Sequence, residues 1–99
     1  MATAESQPPQ NMVFIGSKPP MNYVLAVVTI FNSGKPLAVL KARGNAISRA
    51  VDVAEMVRNK FVEKCSVQSV KIGTERVTSQ TSNRTLNVST IEIHLEKQV

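Results

Sequence analysis

Residues 36–51, Pro-Leu-Ala-Val-Leu-Lys-Ala-Arg-Gly-Asn-Ala-Ile-Ser-Arg-Ala-Val, constrain the fold more than any other stretch. Leu37, Val39, Lys41 and Arg43 share one face of a strand by the two-residue period, and Ala38, Leu40 and Ala42 share the other. Gly44-Asn45 then turns the chain, with Asn45 suited to cap a helix. Beyond it Ile47, Ala50, Val51, Ala54, Val57 and Phe61 recur at helical spacing, which predicts one helix over residues 46–62. A strand that turns at a glycine into an amphipathic helix belongs to a fold in which helices pack on a sheet. Lys41, Arg43 and Arg49 surround the junction, where backbone N–H groups and a helix N-terminus attract phosphate. The bland alternative is a pair of surface charges at a fraying strand end.

The flanking segments extend this pattern. Residues 12–15 form a short apolar run closed by Gly16, which suggests a buried strand. Pro19-Pro20 stops it and suits the first turn of a helix, leaving Lys18 on a stiff loop. Residues 21–32 fit that helix, with Val24, Val27, Val28 and Phe31 as its stripe and Leu25 and Ile30 widening it on other sides. Asn32-Ser33-Gly34 ends it. Residues 65–72 read as a strand that continues over 75–78, with Gly73 as a candidate bulge or bend. A polar loop over 79–83 leads to a last strand over 86–95. In that strand Leu86 and Val88 have one parity and Ile91, Ile93 and Leu95 the other, which predicts a bulge or twist near Ser89-Thr90. The two strands form one long hairpin, with Arg76 and Arg84 at either base of its tip (77–85). The predicted fold is α+β: a two-layer β-α-β-α-β-β sandwich, with a four-stranded mixed sheet and two helices on one face. Residues 1–10 are polar and expected to be a disordered tail, and 11–97 the domain.

Along the second helix, Val53 and Met56 are apolar beside a polar face. They mark either a subunit contact or a wide core stripe. A single small domain has modest stability, which makes an oligomer that buries more surface reasonable.

Composition limits the function. The net charge of +5 and a pI of about 9.8 fit nucleic acid or another anionic partner, or a soluble protein with a basic bias. The aromatic residues are only Phe14, Phe31, Phe61 and Tyr23, which argues against a stacking platform for single-stranded nucleic acid. Cys65 is the one cysteine, so an intrachain disulfide or a multi-cysteine metal site is excluded. Glu92, His94 and Glu96 share a strand face and read as a solvated row rather than a metal site. No cofactor is expected. No apolar run reaches membrane-span length and no secretory signal is visible, so the expected location is intracellular, with no membrane partner.

Three stretches together carry a family resemblance. Phe14-Ile-Gly-Ser-Lys-Pro-Pro-Met-Asn-Tyr-Val, Leu40-Lys-Ala-Arg-Gly-Asn-Ala-Ile-Ser-Arg-Ala-Val-Asp-Val-Ala-Glu and Asn87-Val-Ser-Thr-Ile-Glu-Ile closely resemble the archaeal Alba family of small chromatin proteins. The resemblance runs from about Asn11 to Lys97. It implies a fold like the C-terminal domain of the third bacterial translation initiation factor. It also implies a cytoplasmic, chromosome-associated homodimer that binds duplex DNA and RNA with little sequence preference, its hairpins reaching into minor grooves. By the same resemblance, Lys18 lies in the loop of the family's paired lysines, which contact DNA and are acetylated. Ser17 stands where the first lysine of that pair would be, leaving Lys18 as the candidate for acetylation and for an acetylase and deacetylase. Lys41 and Arg43 match the family's central phosphate-holding residues. Asn45 replaces a basic residue of some members. Arg49 matches a basic helix position and Arg84 a hairpin arginine. Phe61 matches an aromatic residue of a dimer–dimer contact.

These readings lead to an architectural protein that coats and compacts the chromosome by phosphate contacts. The alternative is an RNA-binding subunit or scaffold of an RNA-processing or RNA-stabilising complex. A paralogue is a candidate heterodimer partner. No catalytic constellation supports an enzyme.

Overall fold

A computed structural model describes residues 10–79 and 81–98. The expected N-terminal tail, except Gln10, lies outside them. Four strands, β1 (Met12–Phe14), β2 (Leu37–Arg43), β3 (Cys65–Thr78) and β4 (Thr85–Lys97), form one sheet in the order β1-β2-β4-β3. β1 runs parallel to β2 and the other pairings are antiparallel. Helices α1 (Pro20–Asn32) and α2 (Ile47–Met56) pack on one face. This is the expected α+β sandwich.

Alternation decides what faces the helices. Val13 on β1, Ala38, Leu40 and Ala42 on β2, and Ile93 and Leu95 on β4 are buried in the core. Tyr23, Val24, Val27, Ile30 and Phe31 of α1 meet them, with Ala50, Val53 and Ala54 of α2. Leu25 departs from the expectation: Ile30 is buried, but Leu25 points to solvent. α1 starts with Pro20 at its first position, without a side-chain cap, and ends where the Ser33 hydroxyl donates to the Ile30 carbonyl and Gly34 adopts φ 97°.

The second helix differs from the expected continuous one. Gly44–Ala46 forms a 3₁₀ turn, α2 follows, and Val57–Phe61 widens into a π-helical turn closed by Val62 N–H to the Val57 carbonyl at 2.8 Å. Asn45 lies inside the 3₁₀ turn and caps nothing; Ala46 precedes α2. Val53 is fully buried in the chain's own core, and Met56 packs partly against it. Val53 therefore belongs to the wide core stripe and is not available for a subunit contact. The wider last turn leaves Phe61 outside the stripe, 46% exposed.

β3 and β4 form a continuous ladder from Ser69↔His94 to Thr78↔Thr85. Its one register shift lies between Val67 and Ser69, not at Gly73 or at Ser89-Thr90. The apolar residues change face without a bulge because the helix layer ends there. Ile91, Ile93 and Leu95 face the helices, whereas Leu86 and Val88 lie on the opposite side of an arm that no helix covers. β2 stops at Arg43↔Thr90, so residues 74–78 and 85–89 project beyond it as two strands. Five rungs carry the arm roughly 17 Å. It leaves from the end of the sheet where β1 and β2 also terminate.

Candidate nucleic-acid interface

That end gathers most of the sequence-predicted cations. The loop after β1 leaves the sheet once Ile15 N–H has bonded the Lys41 carbonyl at 2.8 Å. The buried Tyr23 hydroxyl then accepts the N–H of Gly16 at 2.9 Å and that of Lys18 at 3.0 Å. From the other helix, Arg49 Nη1 donates to the Gly16 carbonyl at 2.7 Å. A Cβ on Gly16 would come to 3.3 Å from the Tyr23 hydroxyl, so a side chain there would press on the bond that holds the loop. Ser17 and Lys18 are exposed, and Lys18 makes no ion pair among the described residues. Arg49 uses part of its guanidinium on the loop and keeps further N–H donors.

Lys41 and Arg43 differ from this first group. Their parity puts them on the open face of the sheet, opposite the helices, and each has an acidic neighbour. Lys41 Nζ lies 3.9 Å from Glu92 Oε1, and Arg43 Nη1 donates to Glu75 Oε1 at 2.6 Å. Such exposed pairs contribute little to stability, about 0–1 kcal/mol, so a phosphate can displace the carboxylate. Glu92 also accepts from His94 Nε2 at 2.7 Å. That hydrogen bond, and then the charges of His94, Lys41 and Lys71, hold the Glu92 carboxyl below its ordinary range against slight desolvation. The expected solvated row is therefore a hydrogen-bonded pair with a half-buried imidazole.

Gly44 has φ 58°, a left-handed conformation in which any other residue is strained. Its turn lets β2 end directly under the arm, where Val88 lies within contact distance of a Cβ built there. Asn45 is exposed on this turn. Arg76 is exposed on the arm opposite Asn87, and the Arg84 carbonyl closes the tip by accepting Ser79 N–H at 2.7 Å. Gln80 lies outside the described residues.

Lys18 and Arg49 on the helix side and Lys41 and Arg43 on the open face thus share one end of the sheet, and Arg76 and Arg84 extend from the same end. Sequence reasoning missed Tyr23, Glu75, Glu92 and Lys71 in this site. Tyr23 had a signal: a phenol among apolar helix residues needs hydrogen-bond partners when buried. Lys71, Glu75 and Glu92 share open-face parity with Lys41 and Arg43 once the strand register is known, but nothing in the sequence sets that register.

Among the described residues, several apolar side chains remain uncovered. Val67, Val70 and Ile72 stand opposite Leu95, Ile93 and Ile91 and face the helix side, but β3 lies beyond the helices and Ile72 is 82% exposed. Val51 is exposed on α2, in the helix row of Glu55 and Arg58. Arg58 is close enough to Cys65 at the start of β3 for its charge to oppose the rise in thiol pKa that burial causes. Phe61 borders a separate groove of about 310 Å³ with Val28, Phe31 and Val62.

The family model described as Alba matches residues 11–74. The DNA/RNA-binding protein Alba 1 of Archaeoglobus fulgidus is 56% identical over 89 residues, covering 90% of this chain and 98% of the relative. The DNA/RNA-binding protein Alba of Methanocella arvoryzae is 49% identical over 90 residues, covering 91% and 93%. Among solved structures, Alba from Thermoplasma volcanium superposes with a TM-score of 0.82 at 46% identity, covering 88% of this chain and all of that one.

Proposed function

The chain belongs to the Alba family, and from that premise we propose that it binds duplex DNA and RNA through their phosphates, with little sequence preference. The observation that carries this reading is the convergence of Lys18, Lys41, Arg43 and Arg49 at the end of the sheet from which the arginine-bearing arm projects. Cations on loops and strand ends contact phosphate rather than read bases. The relatives' names as DNA/RNA-binding proteins point the same way. The protein acts on the chromosome in the cytoplasm as a coating and compacting component. The arm is long enough to enter a groove while the body rests on the backbone.

The working unit is a homodimer, supported by the exposed apolar strip of Val67, Val70 and Ile72 on β3 and by Val51, exposed on α2. A paralogue would use the same strip to form a heterodimer. Phe61 and its groove support contacts between neighbouring dimers. Lys18 is the candidate for an acetylase and deacetylase, since its side chain is exposed while its backbone is held.

A titration on duplex DNA and on structured RNA at several salt concentrations tests the proposal. Affinity should fall steeply with salt on both. Lys41→Ala with Arg43→Ala should reduce the slope of log K against log salt by about two. An unchanged slope would remove these residues from the interface. A strong preference for structured RNA would favour a role in an RNA-processing complex.

A further inference from the structure

The open face of the sheet holds a concavity of about 650 Å³ that includes Phe14, Lys41, Arg43, Lys71, Glu75, Thr90 and Glu92 in its lining. Phe14 pairs in register with Lys41 and is 55% exposed, while its neighbour Val13 carries the core packing. Of the other rings, Phe31 and Tyr23 are buried and Phe61 lies at the helix-side groove. Gly73 opposite Thr90 brings no side chain to the concavity.

We infer that this face takes one unpaired nucleobase with its adjoining phosphate. Phe14 offers its ring for stacking, and Lys41, Arg43 and Lys71 offer charge to the phosphate. Glu75, Glu92 and Thr90 can accept hydrogen bonds from base N–H groups. The size suits a nucleotide, since small-ligand sites occupy roughly 300–1,000 Å³. A duplex keeps its base faces stacked inside, so the occupant is a single-stranded or looped segment. A second copy of the chain fits less well here than on β3, because Lys41, Arg43, Lys71, Glu75 and Glu92 charge the lining, although Ile72 of the β3 strip borders it. The inference rests on the nucleic-acid reading above. Three phenylalanines and one tyrosine argue against a tract of stacked bases but leave room for a single-base site.

The test compares the full chain with its Phe14→Leu, Phe14→Ala and Phe14→Tyr variants, each titrated against a short unstructured single-stranded RNA and a duplex of equal length. Phe14→Leu keeps apolar bulk on the strand while removing the aromatic face, and melting curves check that each variant folds. Stacking lost per base corresponds to a loss of about tenfold or more on the single strand for Phe14→Leu and Phe14→Ala. Phe14→Tyr should retain binding, and all variants should hold the duplex like the wild type. A 2-aminopurine base in the single strand should be quenched by the wild type and by Phe14→Tyr only. Equal single-strand affinity for Phe14→Leu and wild type overturns the inference. So does an equal loss on both ligands, or a change in sedimentation, which would mark the face as a contact between copies. Duplex binding by the wild type, together with single-strand affinity that no Phe14 variant changes, defeats this inference alone; a wild type that binds neither ligand defeats the nucleic-acid reading with it.

Discussion

The end of the body and the hairpin arm carry the same kind of side chain in opposite mechanical settings. Lys18 stands on a loop pinned from two helices, by the Tyr23 hydroxyl and the Arg49 guanidinium. Arg84 stands at the tip of two strands that have no helix over them and no third strand beside them. The first arrangement fixes a cation before a ligand arrives and limits the ordering cost of binding. The second leaves the cation on the least supported part of the fold, where local opening is easiest. A rigid body that sets position and an adaptable arm that follows the ligand suit a surface that must accept many sequences.

The largest expected difference between the two regions is in stability. Leu40→Ala empties a fully buried site beneath both helices and should cost about 2–5 kcal/mol in a denaturant titration. Val77→Ala on the arm should stay within about 0.5 kcal/mol. A comparable loss from Val77→Ala would mean that the arm is packed against something, and the contrast would fail.

A smaller effect probes the pinned loop. Tyr23→Phe removes the acceptor for two backbone N–H groups and should destabilise the chain by about 1–2 kcal/mol. It should also weaken duplex binding several-fold by loosening Lys18. In a double-mutant cycle, Lys18→Ala should add less on the Tyr23→Phe background than on the wild type, while Arg84→Ala should add its full effect. Full additivity for both would show that Tyr23 does not position Lys18.

The smallest effect concerns the open face. The folded-state pKa of Glu92 is lowered, first by the His94 hydrogen bond and then by neighbouring cations. Its contribution is therefore present above the unfolded carboxylate pKa, about 4.3, and is lost as pH falls through the lower folded value. Between pH 5 and pH 3 the wild type should lose slightly more stability than Glu92→Gln, read from urea midpoints. Parallel losses would show that the ion pairs of this face are silent.

Much of the fold was legible from spacing. The Pro19-Pro20 start, the Gly44 turn and the two-residue period of β2 specify their elements by local sterics alone. Val53 was ambiguous because a helical row can face core or solvent, and only the sheet beneath α2 decides between them. Phe61 left its stripe because the last turn widens, and no residue there announces it. The parity change in β4 suggested a bulge because a core on one side was assumed along the whole strand, whereas the helix layer covers only part of it. In the site, the cations were visible as residues, but their acidic partners were not.

The sequence by itself determined the α+β sandwich, the cation-bearing strand–turn–helix corner and the family, because alternation, helical period, prolines and glycines act locally and the motifs are contiguous. Tertiary structure decided which cations pair with carboxylates among the described residues, that Tyr23 holds the Lys18 loop, and that Phe14 faces outward among charges. These depend on strand register and on where the helix layer ends, quantities set by packing between segments far apart in the chain.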